Sequence, residues 1–161
     1  MPETADLTAA VEQLSQRIGV ESEPGEWYTV TQEAVNQFAD VTGDHQWIHV
    51  DVERAKTGPF KGTIAHGFFT LSLVLQLNRR PQGEGGPRLN LTPRMAVNYG
   101  LNRVRFPAPV PVGKRVRAHS KLLSVEAVGD NCIQQVTQIT VEIEGSEKPG
   151  CVAEMVGRMY F

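Results

Sequence analysis

Apolar residues in the first third of the chain recur at helical spacing in two segments. The first segment predicts an amphipathic helix within residues 1–26, which ends near Gly19 and packs on the outside of the domain. The second predicts a helix capped by Thr31 and ended by Gly43, with Val30 and Val35 placed as a hydrophobic staple. The two apolar faces comprise Leu7, Ala10, Val11, Leu14 and Ile18, and then Val35, Phe38, Ala39 and Thr42.

Residues 64–77 carry apolar side chains nearly all the way round a helix. A helix without a polar face must be enclosed on most sides. The segment contains His66 and Gln76 and is shorter than the roughly 20 residues that span a bilayer. It therefore predicts a buried helix and no membrane insertion.

The second half of the chain alternates apolar and polar residues with period two, which predicts half-buried strands. Turn residues at 107–113, 129–131 and 145–150 separate these stretches, so the strands are expected to be long and antiparallel. Together the patterns predict an α+β fold in which a long antiparallel sheet curls around one apolar helix. The alternating residues are Met95, Val97, Tyr99 and Leu101, then Ile133, Thr137, Ile139, Val141 and Ile143, then Cys151, Ala153, Met155, Met159 and Phe161.

Length and charge narrow the class of protein. A chain of 161 residues predicts one domain, and a net charge of −2 gives no reason to bind nucleic acid or an anionic membrane. The first 26 residues hold six acids and one Arg and lack an apolar core, so we expect no secretory signal and a cytoplasmic protein. Cys132 and Cys151 form no CxxC motif and are interpreted as buried reduced thiols, with a disulfide between neighbouring strands as the alternative.

Candidate chemistry is concentrated just after Gly43. Asp44 and His49 are five residues apart, which is not a helical spacing, so a loop held by Trp47 and Ile48 would bring their side chains together. A carboxylate beside an imidazole is an acid–base pair, because His titrates near neutrality. Such a pair could hold and deprotonate one water molecule.

Other interpretations of these residues stay open. Asp44 could cap the next turn, and the histidines could be satisfied structural groups. His45 and His49, four residues apart beside acids, could also bind a metal, although no H-E-x-x-H motif is present. We expect neither a metal nor a cofactor.

Gly67 lies at the start of the predicted buried helix, where backbone N–H groups lack partners within the helix. A glycine lets a ligand approach the backbone closely, so this N–H could stabilise a developing oxyanion. The alternative is that Gly67 only relieves crowding between the helix and the sheet.

Positive charge is segregated in the sequence. Residues 88–117 hold seven Lys or Arg residues and no acid, and Arg79 and Arg80 follow the predicted buried helix. These positive side chains could bind a polyanionic group of a ligand, such as a nucleotide phosphate. For most of these residues, however, a solvent-facing position on a strand is the simpler interpretation.

Two blocks of sequence resemble the MaoC-like (R)-specific enoyl-CoA hydratases, including the nodulation protein N-like group. Residues 38–51, FADVTGDHQWIHVD, are similar to the hydratase motif of that family, with Asp44 and His49 at its catalytic positions. Residues 58–68, GPFKGTIAHGF, are similar to a second block, in which the glycine N–H, here of Gly67, binds the thioester oxygen. Residues 104–110 also resemble the family, and many members have Asn-Pro where this chain has Gln46-Trp47.

The resemblance implies a hotdog fold and reversible hydration of trans-2-enoyl-CoA to (R)-3-hydroxyacyl-CoA by a homodimer. In this scheme Asp44 and His49 are catalytic, and the N–H of Gly67 binds the developing oxyanion. Asp51 and His66 support the loop and the start of the helix, and Arg103 and Arg105 are candidates for contact with the CoA phosphates. A hotdog acyl-CoA thioesterase and a non-catalytic acyl-CoA-binding subunit are the alternatives.

Overall fold

The computed structural model describes residues 4–79, 89 and 91–161, and its centre is a five-stranded antiparallel sheet. The strands lie in the order β1-β3-β4-β5-β2. Their bounds are β1 Tyr28–Thr29, β2 Met95–Arg105, β3 Arg115–Ala127, β4 Cys132–Ile143 and β5 Cys151–Tyr160. The short strand β1 lies at one edge and the long strand β2 at the other. Arg80 and Arg88 of the positively charged segment lie outside the described residues.

The helices of the described residues all precede β2 in sequence. Their bounds are α1 Thr4–Ser15, α2 Gln32–Thr42, α3 Trp47–Val50, α4 Val52–Lys56, α5 Gly67–Ser72 and α6 Val74–Leu77. The helix α2 has both expected caps. The Thr31 side chain accepts from the N–H of Ala34, and Gly43 ends the helix in the left-handed conformation at φ 78°.

The buried helix differs from its prediction in extent. Residues 64–77 do not form one helix, because Ile64 and Ala65 are extended and bond to Ile48 and to Val110. The helix begins at Gly67 and is interrupted at Leu73, which separates α5 from α6. The expected enclosure on most sides is also incomplete within one chain, since Phe68 is 70% exposed and Leu75 46% exposed.

The main core lies between this interrupted helix and one face of the sheet. Phe69, Val74 and Leu77 pack with residues from β3, β4 and β5 that alternate along each strand, as period two requires. The strand residues are Val116, Ala118, Ile139, Val141, Ile143, Cys151 and Ala153. A curled antiparallel sheet around a central helix is the hotdog arrangement, so the expected fold class is confirmed.

The N-terminal helix forms a second cluster. Leu7 and Ala10 of α1 are buried against Ile133 and Phe161, and the helix gives way to turns before Gly19 at φ 81°. Ile133 lies on the same face of β4 as Ile139, because strand residues an even number apart share a face. The helix therefore covers part of the same sheet face as the central helix.

The two cysteines are buried free thiols. Cys151 lies opposite Val141, which is nine residues along β4 from Cys132, or about 30 Å at 3.3 Å per residue. The alternative of a disulfide between neighbouring strands is therefore wrong for this pair. Burial raises the pKa of the Cys151 thiol to about 11.

No helix in the described part of the chain is long and apolar enough to cross a membrane.

Candidate active site

The loop after α2 is anchored by packing on Trp47. The Arg54 guanidinium lies 4.3 Å from the centre of the Trp47 ring. Gly58 packs so closely on the same ring that an added Cβ would lie 3.0 Å from it. These contacts hold the one-turn helix α3, which carries His49, as the sequence indicated for Trp47.

His49 is buried, with 6% of its surface exposed, and its ring is oriented by the backbone. The Nδ1–H of His49 donates to the carbonyl of Ile64 at 2.7 Å, which leaves Nε2 as the nitrogen available for proton transfer. Burial lowers the pKa of His49 below its ordinary value of 6.5, and nearby His66 lowers it further, while the Ile64 hydrogen bond opposes both. A neutral His49 at neutral pH can therefore accept a proton.

The carboxylate of Asp44 lies close to His49 without a direct hydrogen bond to it. One oxygen of Asp44 and one ring nitrogen from each of His49 and His66 all lie within 4.8 Å of one another. The Asp44 side chain is 55% exposed; one carboxylate oxygen accepts a long 3.4 Å bond from the Gln46 N–H, and the other lies 4.0 Å from Nε2 of His66. A separation of this kind suits a water molecule that hydrogen-bonds to both groups.

His66 links the two candidate catalytic residues. Its Nε2–H donates to the backbone carbonyl of Asp44 at 2.9 Å, and its ring stacks on His49 with 3.8 Å between centroids. Phe38 packs on the ring of His66 at 5.0 Å between centroids. The ring is 3% exposed, and its Nδ1 has no hydrogen-bond partner among the described residues. His66 is thus placed to fix the Asp44 backbone relative to the ring of His49.

Gly67 follows His66 and is the first residue of α5. An added Cβ at Gly67 would lie 2.8 Å from the ring of Phe106, which is far inside normal contact distance. Phe106 also meets Phe68 edge-on at 6.0 Å. The Phe106 ring is therefore the specific group that would be crowded by a larger residue at position 67. The N–H of a first helical residue still has no partner within the helix.

Asp51 and His45 lie on the same segment but outside this cluster. The Asp51 carboxylate caps α4 by accepting from the N–H of Arg54 at 3.0 Å. His45 Nε2 lies 2.7 Å from a carboxylate oxygen of Asp40, and this hydrogen bond raises the pKa of His45. The possible metal pair of His45 and His49 is therefore not formed, because His45 bonds to Asp40 instead.

The arginines expected at the CoA phosphates lie at the sheet edge. Arg103 and Arg105 stand opposite Glu154 and Val152 of β5, on the face opposite to the buried Ala153. They line a cavity of about 320 Å³ that Pro107 also lines. Neither guanidinium forms an ion pair with an acid in the described ranges. None of the residues lining this cavity belongs to the group of Asp44, His49 and His66.

Two other arginines of the positive segment have structural partners. Arg115 pairs with Glu144, and Arg117 pairs with Glu142 at 2.6 Å. Both guanidinium groups also lie over the Trp27 ring, at 5.5 and 4.5 Å from its centre. For these two residues the solvent-facing interpretation is correct.

The proximity of Asp44, His49 and His66 raises the question of a metal ion. The two imidazole rings are stacked with 3.8 Å between centroids and 25° between planes, so their in-plane lone pairs lie in two separate, nearly parallel planes. Two such rings do not direct their lone pairs at one ion, and Asp44 with a single histidine is fewer than the three protein ligands of a catalytic zinc site. The donor set therefore fits proton transfer better than metal binding.

One further contact at this site has no signal in the sequence. The side-chain amide of Gln32, the first residue of α2, donates to the carbonyl of His49 at 2.7 Å and accepts from the hydroxyl of Thr63 at 2.6 Å. These partners are 17 and 31 residues away in the chain. A periodicity or motif cannot indicate such a bond.

A second cavity, of about 740 Å³, lies away from this cluster. It is lined by residues 23–28 and 76–79 together with Ala118, at the end of α6. Gly25 closes one side of it, because an added Cβ there would lie 2.5 Å from the carbonyl of Leu77. Asp44, His49 and His66 are not among the residues that line this larger cavity.

Comparison with known proteins identifies the family. The model described as "MaoC like domain" matches residues 13–144. The chain is 54% identical over 154 residues to 3-hydroxyacyl-thioester dehydratase Z of Mycobacterium tuberculosis, covering 96% of this chain and 93% of that protein. It is 43% identical to Nodulation protein N of Rhizobium leguminosarum bv. viciae, covering 90% of this chain and 88% of that protein.

A solved structure agrees with this assignment at the level of the fold. The X-ray structure of a monoamine oxidase regulatory protein from Archaeoglobus matches with a TM-score of 0.70 and 24% identity, covering 92% of this chain and 93% of that one. The family model and the curated relatives each cover most of the chain. The chain belongs to the MaoC-like dehydratase family and is an enzyme of the dehydratase class.

Proposed function

We propose that the protein catalyses the reversible addition of water to a trans-2-enoyl-CoA, which gives an (R)-3-hydroxyacyl-CoA. The observation that carries the proposal is the arrangement of Asp44 and His49. Their titratable atoms lie within 4.8 Å of each other, and the tautomer of His49 is fixed by the Ile64 carbonyl. The relative from M. tuberculosis is named a 3-hydroxyacyl-thioester dehydratase, which supports an acyl thioester as the substrate.

The residues suggest how water is added. Asp44 and His49 jointly hold a water molecule and remove its proton as its oxygen attacks C3 of the enoyl group. The electrons of the double bond move toward the thioester oxygen. Asp44 and His49 then return a proton to C2. One water is consumed, C3 gains the hydroxyl and C2 gains a hydrogen.

Two other groups support this chemistry in the proposal. The N–H of Gly67 donates to the enolate oxygen, where a preorganised donor contributes about 2.7–4 kcal/mol to the transition state. His66 holds the backbone of Asp44 through its 2.9 Å hydrogen bond, and Asp51 supports the segment by capping α4. Asp44 and His49 then keep one relative position through turnover.

The CoA end of the substrate needs positive charge. Arg103 and Arg105 line one cavity at the sheet edge beside Pro107, and they form no ion pair with the described acids. Phe106, which packs on Gly67, lies between Arg105 and Pro107 in the chain. We therefore assign the phosphates of CoA to these two guanidinium groups.

A homodimer is part of the proposal. The edge strand β2 exposes large apolar side chains along its length, including Met95, Tyr99 and Leu101. An exposed edge strand with apolar residues favours pairing with another strand. Pairing β2 with β2 of a second chain would cover the β2 edge of each sheet. Phe68 and Leu75 are further apolar residues that a second chain could cover. We expect the dimer to act in the cytoplasm.

The test is an assay of the purified protein with crotonyl-CoA and longer enoyl-CoAs. Loss of enoyl absorbance without release of free thiol is the expected result, and Asp44→Asn and His49→Ala should abolish it. The product should resist oxidation by an (S)-specific 3-hydroxyacyl-CoA dehydrogenase, because that enzyme does not act on the (R) product. Release of thiol would indicate a thioesterase instead. Binding of the thioester without turnover would indicate an acyl-CoA-binding subunit.

A further inference from the structure

The helix that carries His49 is a single turn, so its last carbonyl groups need partners outside the helix. The carbonyl of Ile48 accepts from the N–H of Ile64 at 3.0 Å. The carbonyl of His49 accepts from the side-chain amide of Gln32 at 2.7 Å. The backbone around the base is therefore held by two elements that are distant in sequence.

The amide of Gln32 uses both of its N–H donors and one lone pair of its oxygen. Its Nε2 donates to the His49 carbonyl and, at 2.9 Å, to the side-chain oxygen of Asn36. Its Oε1 accepts from the hydroxyl of Thr63 at 2.6 Å. A flipped amide would set two acceptors against each other at the His49 carbonyl, so the contacts define one orientation.

Thr63 connects this amide to the group that orients the imidazole. Thr63 is buried, and it precedes Ile64, whose carbonyl accepts from Nδ1–H of His49. Gln32 thus bridges the backbone of His49 and the segment that sets the rotation of its ring. A change in that bridge moves Nε2 relative to the Asp44 carboxylate.

We propose that Gln32 is a positioning residue for His49, acting as a clamp together with Thr63. It does not touch the substrate, and it lies before both sequence blocks that resemble the hydratase family. Its role in turnover rests on the proposed function, because His49 is the base there. The clamp holds the ring of His49 in the orientation in which Nε2 shares a water with Asp44.

The experiment compares Gln32→Met and Thr63→Val with the unaltered enzyme. Met keeps the length of the side chain without the amide, and Val keeps the shape of Thr without the hydroxyl. Each variant should lower kcat with crotonyl-CoA by about ten- to a hundredfold, since small displacements of catalytic groups have effects of that size, while KM stays within about twofold. Assays are run well below the Tm of each variant, so a loss of folded protein does not mimic this result.

Matched controls separate positioning from general effects on the helix. Gln37→Met removes an amide from the same helix, where Gln37 is exposed and bonds to Glu33 at 3.4 Å, and it should leave kcat unchanged. Thr63→Ser keeps the hydroxyl and should retain most of the activity. The double variant of Gln32 and Thr63 should be no slower than the slower single variant, because both changes break one clamp. If the fold-losses in kcat of the two single variants multiply in the double variant, the proposed clamp is wrong.

Nitrogen NMR of the histidine rings gives a readout that needs no turnover. The unaltered protein should show His49 as one tautomer, with the proton on Nδ1, and Gln32→Met should show a mixture of tautomers. If the unaltered protein hydrates no enoyl thioester but Gln32→Met changes the tautomer, the proposed function fails and the positioning of His49 stands. If the unaltered protein is active and Gln32→Met changes neither kcat nor the tautomer, the positioning role is wrong and the proposed function stands.

Discussion

The imidazole rings of His49 and His66 are stacked with 3.8 Å between centroids, and each ring donates one N–H to a backbone carbonyl. His49 donates from Nδ1 to Ile64, and His66 donates from Nε2 to Asp44. These two hydrogen bonds set the rotation of both rings, and they leave Nε2 of His49 as the nitrogen available for proton transfer.

The first prediction separates the two contacts of His66. His66→Gln keeps a donor at the position of Nε2 but removes the ring, whereas His66→Phe keeps an aromatic ring but removes the donor. We expect His66→Phe to lower kcat by about tenfold or more, because the backbone of Asp44 is released, and His66→Gln to lower it less. Steady-state kinetics on both variants test this. The reverse order would show that stacking on His49 matters more than the bond to Asp44.

The second prediction concerns pH. In the proposed mechanism His49 accepts a proton only when it is neutral, and burial lowers its pKa below 6.5. The midpoint of the decline in kcat/KM at low pH should therefore lie below 6.5. A pH–rate profile with crotonyl-CoA measures this limb. A midpoint above pH 6.5 would contradict a His49 with a lowered pKa.

The same lowered pKa of His49 links pH to stability. Below pH 6.5 the unfolded chain binds a proton at this residue, while the folded chain resists it, so the unfolded state is favoured as the pH falls. The contribution of His49 to stability is thus complete above 6.5 and is lost as the pH falls through the pKa of the folded state. His49→Asn keeps a donor toward Ile64 without a titrating ring. Its Tm should decline less than that of the unaltered protein between pH 6.5 and 5.

The sequence could predict the parts of the fold that neighbouring residues determine. The caps of α2 at Thr31 and Gly43 follow from local backbone chemistry, and both are present. The start of the central helix was placed three residues early. Ile64 and Ala65 are apolar enough for a helix, but their N–H groups bond to Ile48 and Val110, far away in the chain.

The candidate site shows the same division. The spacing of Asp44 and His49 predicts that one short loop brings them together; they do lie close, but His49 is carried by the helical turn α3 and not by a loop. Gln32 was not predicted, because its partners at His49 and Thr63 become neighbours only after α2 packs on the segment before α5. The close approach of the Phe106 ring to Gly67, which leaves no room for a Cβ, was not predicted for the same reason. The two residues are far apart in the chain and become neighbours only in the fold.

The third prediction tests the arginines at the sheet edge. Arg103→Ala and Arg105→Ala should each raise the KM for crotonyl-CoA severalfold and weaken its dependence on salt, because a contact to phosphate is lost. The crotonyl thioester of N-acetylcysteamine carries no phosphate, so its KM should not change in either variant. An equal rise in KM for both substrates would place the effect elsewhere than at the phosphates.

The fourth prediction concerns the edge strand β2. Light scattering on the unaltered protein should give about twice the chain mass of 17.7 kDa. Leu101→Lys and Met95→Lys should shift the protein toward the monomer, because each places a charge where two edges would meet. Val41→Lys is the matched control, since Val41 is 87% exposed on α2, and it should remain dimeric. A monomeric unaltered protein would remove the homodimer from the proposal.

The fifth prediction separates the two roles considered for Gly67. Proline is favourable at the first position of a helix, and the preceding His66, at φ −59° and ψ 142°, already has the backbone that a following proline requires. Gly67→Pro therefore removes the N–H with little backbone strain, but its added Cβ would meet the Phe106 ring. Combining it with Phe106→Ala removes that collision.

The matched control is Gly67→Ala with Phe106→Ala, which has the Cβ and keeps the N–H. If the N–H binds the developing oxyanion, the proline double variant should have a kcat about a hundred- to a thousandfold below that of the alanine double variant. Gly67→Ala alone should lose about 1–3 kcal/mol of stability through the collision with Phe106, and chemical denaturation measures this loss. Equal kcat in the two double variants would mean that glycine is needed at this position for space alone, because the only designed difference between them at the site is the N–H.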